Sequence, residues 1–337
     1  MKKNKNSFFL NMYLMDIFKL PSSISWCESK YQVVPYIAEF WNTLTGICLI
    51  ASGLWFYKNN QSWMLIYSKY YINFSRIIGL LVFVGIGTML FHSTLYYPFQ
   101  LLDELPMILL SNEYLVLLMS LQTTRQILSK KHLDRLNIVL SYSYTSIPFV
   151  IVSYFIHPTL QIISFHITLK ISEICIVLIL YRLSNSLNHI VYSEIYKHQE
   201  ILRQYRNHNR ETLLTRSKFL GFANLRKTDT LSMSVRQGTL SSINRSYSQS
   251  GLLDIVQTNI KQYIKYRGEL KNTIQLGLYF YGISIGIWCV ENMFCKYVQP
   301  FQLHAVWHLL SSIGIYHLNT IMKIHIIIDE FTYKNYF

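Results

Sequence analysis

Three histidines carry the chemistry this sequence can do. In "QLHAVWHLLSSIGIYH" His304 and His308 stand four residues apart, so on a helix they share one face. In "FHSTLYYPFQLLDELP" His92 closes one apolar segment, and Asp103 and Glu104 open the next. A His pair at this spacing is common in packed helices. Its meaning depends on whether His92 and Asp103 reach the same place. Three imidazoles with a fourth position open are the ligand set of a catalytic zinc ion, which acidifies a bound water and polarises a carbonyl. A carboxylate beside them, here Asp103, then takes the proton as general base.

The elements that must position these residues are membrane spans. About 20 apolar residues cross a bilayer, and stretches of that length recur at 37–57, 77–95, 101–121, 136–156, 160–181, 274–294 and 303–324. The chain is 51% hydrophobic and 14% charged, against about a quarter charged in soluble domains. The expected fold is therefore all-α: a polytopic membrane protein, a seven-transmembrane helix bundle. A soluble nucleic-acid binder is excluded, although the net charge is +14, because the charge lies in loops between spans. Segments 1–36 and 326–337 flank the spans. Spans one to five occupy 37–182 and spans six and seven 273–325, with a long insert at 183–272.

Lysine and arginine set the orientation. One side holds Lys58, Lys69, Arg76, Arg125, Lys130, Lys131, Arg135, the insert and the C-terminus. The other holds the nearly uncharged connections 95–100 and 157–159, plus a loop with Lys296. The first side is expected in the cytoplasm and the N-terminus across the membrane. Odd-numbered spans start where even-numbered spans end, so His92, Asp103, His304 and His308 come to one membrane face. The N-terminal "MKKNKNSFFLNMYLMDIF" lacks a small-residue cleavage site and is expected as an uncleaved tail or surface helix. The insert is basic and rich in Ser and Thr through "RKTDTLSMSVRQGTLSSINRSYSQSG". It is expected to be cytoplasmic, partly disordered, and either a solvated linker or a segment that is phosphorylated or binds acidic lipid headgroups. Lys170 and Glu173, three apart in the fifth span, are expected to pair. His317 and His325 sit too deep in the seventh span to join the cluster.

Three stretches carry a resemblance. "WCESKYQVVPYIAEFWNTLTG", "GIGTMLFHSTLYYPFQLLDELPMI" and "LHAVWHLLSSIGIYH" together resemble the alkaline ceramidases, seven-span zinc-dependent amide hydrolases of the endoplasmic reticulum and Golgi. The resemblance implies zinc on His92, His304 and His308, with Asp103 assisting the catalytic water. It implies a ceramide-type lipid substrate and a lumenal site and N-terminus. A serine four residues before the first histidine is replaced here by Thr88, which keeps a hydroxyl able to donate to an oxyanion. Glu291 stands where the family tends to have aspartate, and is expected to orient a zinc histidine.

The family also carries a calcium site ahead of the first span, and Trp26, Glu28 and Glu39 match it. Ser25 replaces an aspartate and Lys30 an asparagine, so Ca2+ binding is expected to be weakened, with the Lys30 ammonium neutralising Glu28 and Glu39 in the metal's place. Cys27 and Cys295 both fall on the non-cytoplasmic side, where a disulfide between them is expected. Two other readings stay open: a seven-span zinc-containing lipid-sensing receptor of the adiponectin-receptor kind, and a scaffold whose catalysis has lapsed.

Overall fold

The computed structural model describes residues 19–24, 26–223 and 234–334. The expected N-terminal surface helix and Ser25 lie outside the described residues. Among those described, the chain is helical: α1 (Phe40–Ile66), α2 (Ser68–Thr94), α3 (Tyr97–Ser120), the short α4 (Gln122–Ile127), α5 (Lys130–Ile156), α6 (Pro158–Ala223), α7 (Ser234–Val298) and α8 (Leu303–Lys334). A 3-10 turn, Gln299–Phe301, precedes α8. Each expected span falls on one of these helices.

Among the described residues, four helical segments are long and apolar enough to cross a membrane: Ser68–Thr94, Lys130–Ile156, Pro158–Ser186 and Ile264–Phe301. The protein is thus a helical membrane protein. The helices under the other three expected spans, α1, α3 and α8, are more polar for a physical reason. They bury Asn42 and Asn60, Glu104 and Asn112, and His304, His308 and Asn319 inside the protein. Such residues lower the hydropathy of a helix.

The chain divides into two compact units, 1–183 with 270–337, and 184–269. The described residues of the second are helical, the C-terminal part of α6 and the N-terminal part of α7. Where composition predicts irregular chain, residues 234–251 are helix, and 224–233 lie outside the described residues.

In the first unit α1 packs on α2 and α8, and α2 packs on α3. The core is Leu49, Phe56, Phe74, Ile77, Leu81, Leu115, Leu118 and Ile326 with their neighbours. Two close approaches matter for the site. Gly85 lies against the Gly46 carbonyl, so α1 and α2 touch by backbone. A Cβ on Gly87 would overlap the Leu102 carbonyl and crowd the Asp103 amide, so only glycine lets α3 come this near α2.

The polar ends of α1 and α2 are joined rather than solvated. The last carbonyls of a helix have no partner within it. Here those of His92, Ser93 and Leu95 accept from the amides of Glu39, Ala38 and Ser22 at 2.9, 3.0 and 2.9 Å. Leu95 ends α2 in the left-handed conformation, φ 55°. Pro21 bridges Tyr96, and Tyr97 donates to the Leu20 carbonyl at 2.8 Å. The N-terminal segment is thereby pinned across the α2–α3 connection.

Candidate metal centre

Abutting the start of α1 on the end of α2 places Glu39 beside His92. The start of α8 supplies His304 and His308 one turn apart. All three histidines are buried, and their ring centroids lie 5.2, 5.2 and 4.6 Å apart. One nitrogen from each falls within 4.8 Å of the others.

Every Nδ1 of the three has a partner. His92 Nδ1 lies 2.5 Å from Glu39 Oε2. His304 Nδ1 lies 3.2 Å from Glu291 Oε2. His308 Nδ1 lies 3.0 Å from the Thr45 hydroxyl, which itself donates to the Trp41 carbonyl at 2.9 Å. A carboxylate only accepts, so Nδ1 is the protonated nitrogen of His92 and His304, and the Thr45 hydroxyl, with carbonyl acceptors for its own proton, can accept from His308 Nδ1 in the same way. The lone pairs are left on Nε2, and Nε2 of His92 is buried with no hydrogen-bond partner. Three converging imidazoles, each with an oxygen behind its Nδ1, form a donor set that could hold a metal ion. The residues fit a metal.

Asp103 reaches the same face through Thr88. Thr88 is one turn before His92 on α2, and its hydroxyl donates to Asp103 Oδ1 at 2.5 Å. The Val84 carbonyl, 2.9 Å away, is a second acceptor for that one proton. Glu104 belongs elsewhere: it is buried and accepts from Gln161 and, at 2.8 Å, from Gln100. Gln100 Oε1 in turn takes the Ser23 amide at 2.8 Å.

The residues expected around calcium make other contacts. The Trp26 ring stacks on His304, centroids 3.8 Å apart. The Glu28 carboxylate accepts the amides of Trp41 at 2.7 Å and Asn42 at 2.9 Å, and so caps α1. Burial pushes its carboxyl above the ordinary glutamate range, against the pull of those two donors. Glu39 takes Lys30 and the Trp26 amide on one oxygen, and His92 and Asn42 on the other. The Lys30 ammonium meets the Glu39 carboxylate, but of Glu28 it meets only the backbone carbonyl. The Glu28 carboxylate thus takes its hydrogen bonds from helix amides and not from the lysine.

Cys27 and Cys295 form a disulfide. It ties the N-terminal segment to α7 just past the break in helical backbone at Phe294, and Glu291 accepts the Cys27 amide at 3.4 Å. Lys170 pairs with Glu173 at 2.7 Å, and Tyr281 donates to the same carboxylate at 2.8 Å. His317 stacks on Phe280, away from the three converging histidines. Sequence reasoning missed Thr45 as a partner of His308. A lone threonine on a span has no distinguishing pattern, and its role is visible only once α1 lies on α8.

Over residues 19–337 the chain matches the family model described as Ceramidase. It is 47% identical over 87 residues to alkaline ceramidase YPC1 of Saccharomyces cerevisiae, covering 26% of each chain. It is 41% identical over 87 residues to alkaline ceramidase 3 of Mus musculus, covering 26% of this chain and 31% of that one. It is 35% identical over 88 residues to alkaline ceramidase 1 of Homo sapiens, covering 25% and 31%. These aligned stretches span about a quarter to a third of the relatives' own length. With the family model matched over residues 19–337, and with the histidines of α2 and α8 converging inside it, the chain belongs to the ceramidase family.

Proposed function

We propose that this chain hydrolyses the amide bond of ceramide-type lipids within the membrane, releasing a sphingoid base and a fatty acid, with Zn2+ held by His92, His304 and His308. The carrying observation is the convergence of three buried imidazoles, each with its Nδ1 already engaged, in a chain of this family. When bound, zinc would supply Lewis acidity and a water of lowered pKa.

The chain's own residues do the rest. Glu39, Glu291 and Thr45 hold the imidazoles in one tautomer. Asp103 accepts a proton from the attacking water and delivers it to the leaving amine. Thr88 holds the Asp103 carboxylate while that group is charged. Once Asp103 has taken up a proton, the Thr88 hydroxyl is released to donate to the developing oxyanion. In this reading α1, α3 and α8 cross the bilayer with the four apolar segments, giving seven spans. The N-terminus and the site face the lumen of the endoplasmic reticulum or Golgi, the 183–272 insert and the C-terminus face the cytoplasm, and the lipid's chains stay in the hydrocarbon. The family match favours hydrolysis over the receptor reading.

The test compares detergent-purified wild type with His308→Ala, measuring zinc per chain and sphingoid base released from a panel of ceramides. Wild type is expected to hold zinc and cleave at least one ceramide, and the variant to lose both. Zinc without cleavage of any ceramide would overturn hydrolysis and favour a lapsed scaffold. Absence of zinc from wild type would overturn the metal centre.

A further inference from the structure

Lys30 stands where oxygen atoms converge as they do around a bound cation. Its ammonium donates to the Trp26 carbonyl at 2.6 Å, to the Glu28 carbonyl at 2.9 Å and to the Glu39 carboxylate. An ammonium has three protons, and each has an oxygen here. Glu39 is fully buried, and its second oxygen holds His92 and Asn42. A buried carboxylate without a compensating positive charge is costly. Lys30 places a fixed positive charge against that carboxylate.

The residues do not fit calcium at this place. That ion takes about six to eight oxygens, several from carboxylates. The Glu28 carboxylate is spent on the amides of α1, and the remaining oxygens already close on a positive nitrogen that would repel a second cation. We propose that Lys30 is a built-in cation. It holds Glu39 in the orientation that sets His92, and it leaves the centre with no need for calcium. Lys30 acts through Glu39 and is a positioning residue. The proposal rests on reading the histidine cluster as a metal centre.

The geometry also explains why a tethered charge suffices. The 26–39 segment is held at both ends, by the Cys27–Cys295 disulfide and by the Ala38 and Glu39 amides on the end of α2. Tyr31 N–H on the Ala38 carbonyl, 2.9 Å, closes the loop between them. Lys30 thus meets Glu39 within one short, stapled loop.

The experiment uses the full chain in detergent, prepared in calcium-depleted buffer containing zinc. Melting temperature and zinc per chain are read as calcium is raised to about 1 mM, a concentration that fills even weak protein sites. For wild type neither quantity is expected to move. Lys30→Met, which keeps the stem and removes the charge, is expected to melt several degrees lower and to retain less zinc. Lys30→Asp, which adds an oxygen ligand in place of the ammonium, is expected to become calcium-responsive in melting temperature. A calcium-induced rise in the wild-type melting temperature would overturn the proposal, as would a Lys30→Met chain equal to wild type in both readouts. If wild type holds no zinc, the metal-centre reading fails by itself. The two melting arms then still decide whether Lys30 supplies the charge.

Discussion

The carboxylate of Glu39 lies 2.5 Å from Nδ1 of His92, and both groups are buried. This contact exists because the Ala38 and Glu39 amides, just ahead of α1, pair with the last carbonyls of α2. In the proposed metal centre it makes Glu39 the orienting partner of His92. Glu39→Gln keeps the shape but offers His92 a weaker acceptor. Loss of such a partner costs about 10–100-fold in metal affinity, to be read by zinc retained in competition with a chelator. Unchanged retention would show that Glu39 does not orient the ligand.

Thr45→Val tests the same logic at His308. The substitution is nearly isosteric and removes the acceptor for His308 Nδ1. Both imidazole tautomers then become accessible, and zinc retention is expected to fall, by less than for Glu39→Gln because a neutral hydroxyl is the weaker partner. Ceramide turnover should fall in parallel, with little change in melting temperature.

Asp103 and Gly87 separate chemistry from metal binding. Asp103→Asn removes the proton acceptor and is expected to lower kcat by about 10²–10⁴-fold, with zinc content unchanged. Gly87→Ala puts a methyl against the Leu102 carbonyl. It pushes α3 from α2 and pulls Asp103 off Thr88. Its kcat should fall as well, with zinc again retained. A Gly87→Ala enzyme of normal kcat would mean that the Thr88–Asp103 contact is not needed.

Glu28 gives a pH signature outside the spans. Burial raises its folded-state pKa, so ionising it costs the folded state. The stability it contributes is full below the ordinary glutamate pKa and is lost as pH rises through the raised value. Melting temperature followed from about pH 4 to pH 8 should show that fall in wild type and lose that component in Glu28→Gln. Glu28→Ala leaves the Trp41 and Asn42 amides without an acceptor and is expected to cost about 1–3 kcal/mol.

Much of this protein is legible in the sequence, and the parts that are share one cause. Helical period and span length are local properties of the chain. They determine that His304 and His308 lie on one face, that Lys170 and Glu173 pair, and that long helices lie under all of the expected spans. The expected alternation of sides across a membrane puts His92 and Asp103 at the level of that histidine pair, and the structure brings His92 to it. Only the tertiary structure decided which nitrogen of each histidine is free, because the partners are far away in sequence. Thr45 and His308 are 263 residues apart. It also decided between near-identical roles for carboxylates. Glu28 caps α1, Glu39 orients His92, Glu104 serves an amide cluster and Asp103 meets Thr88. A carboxylate's task is set by which donors reach it first. That depends on backbones brought together at Gly87 and at the joined ends of α1 and α2, which no local pattern encodes.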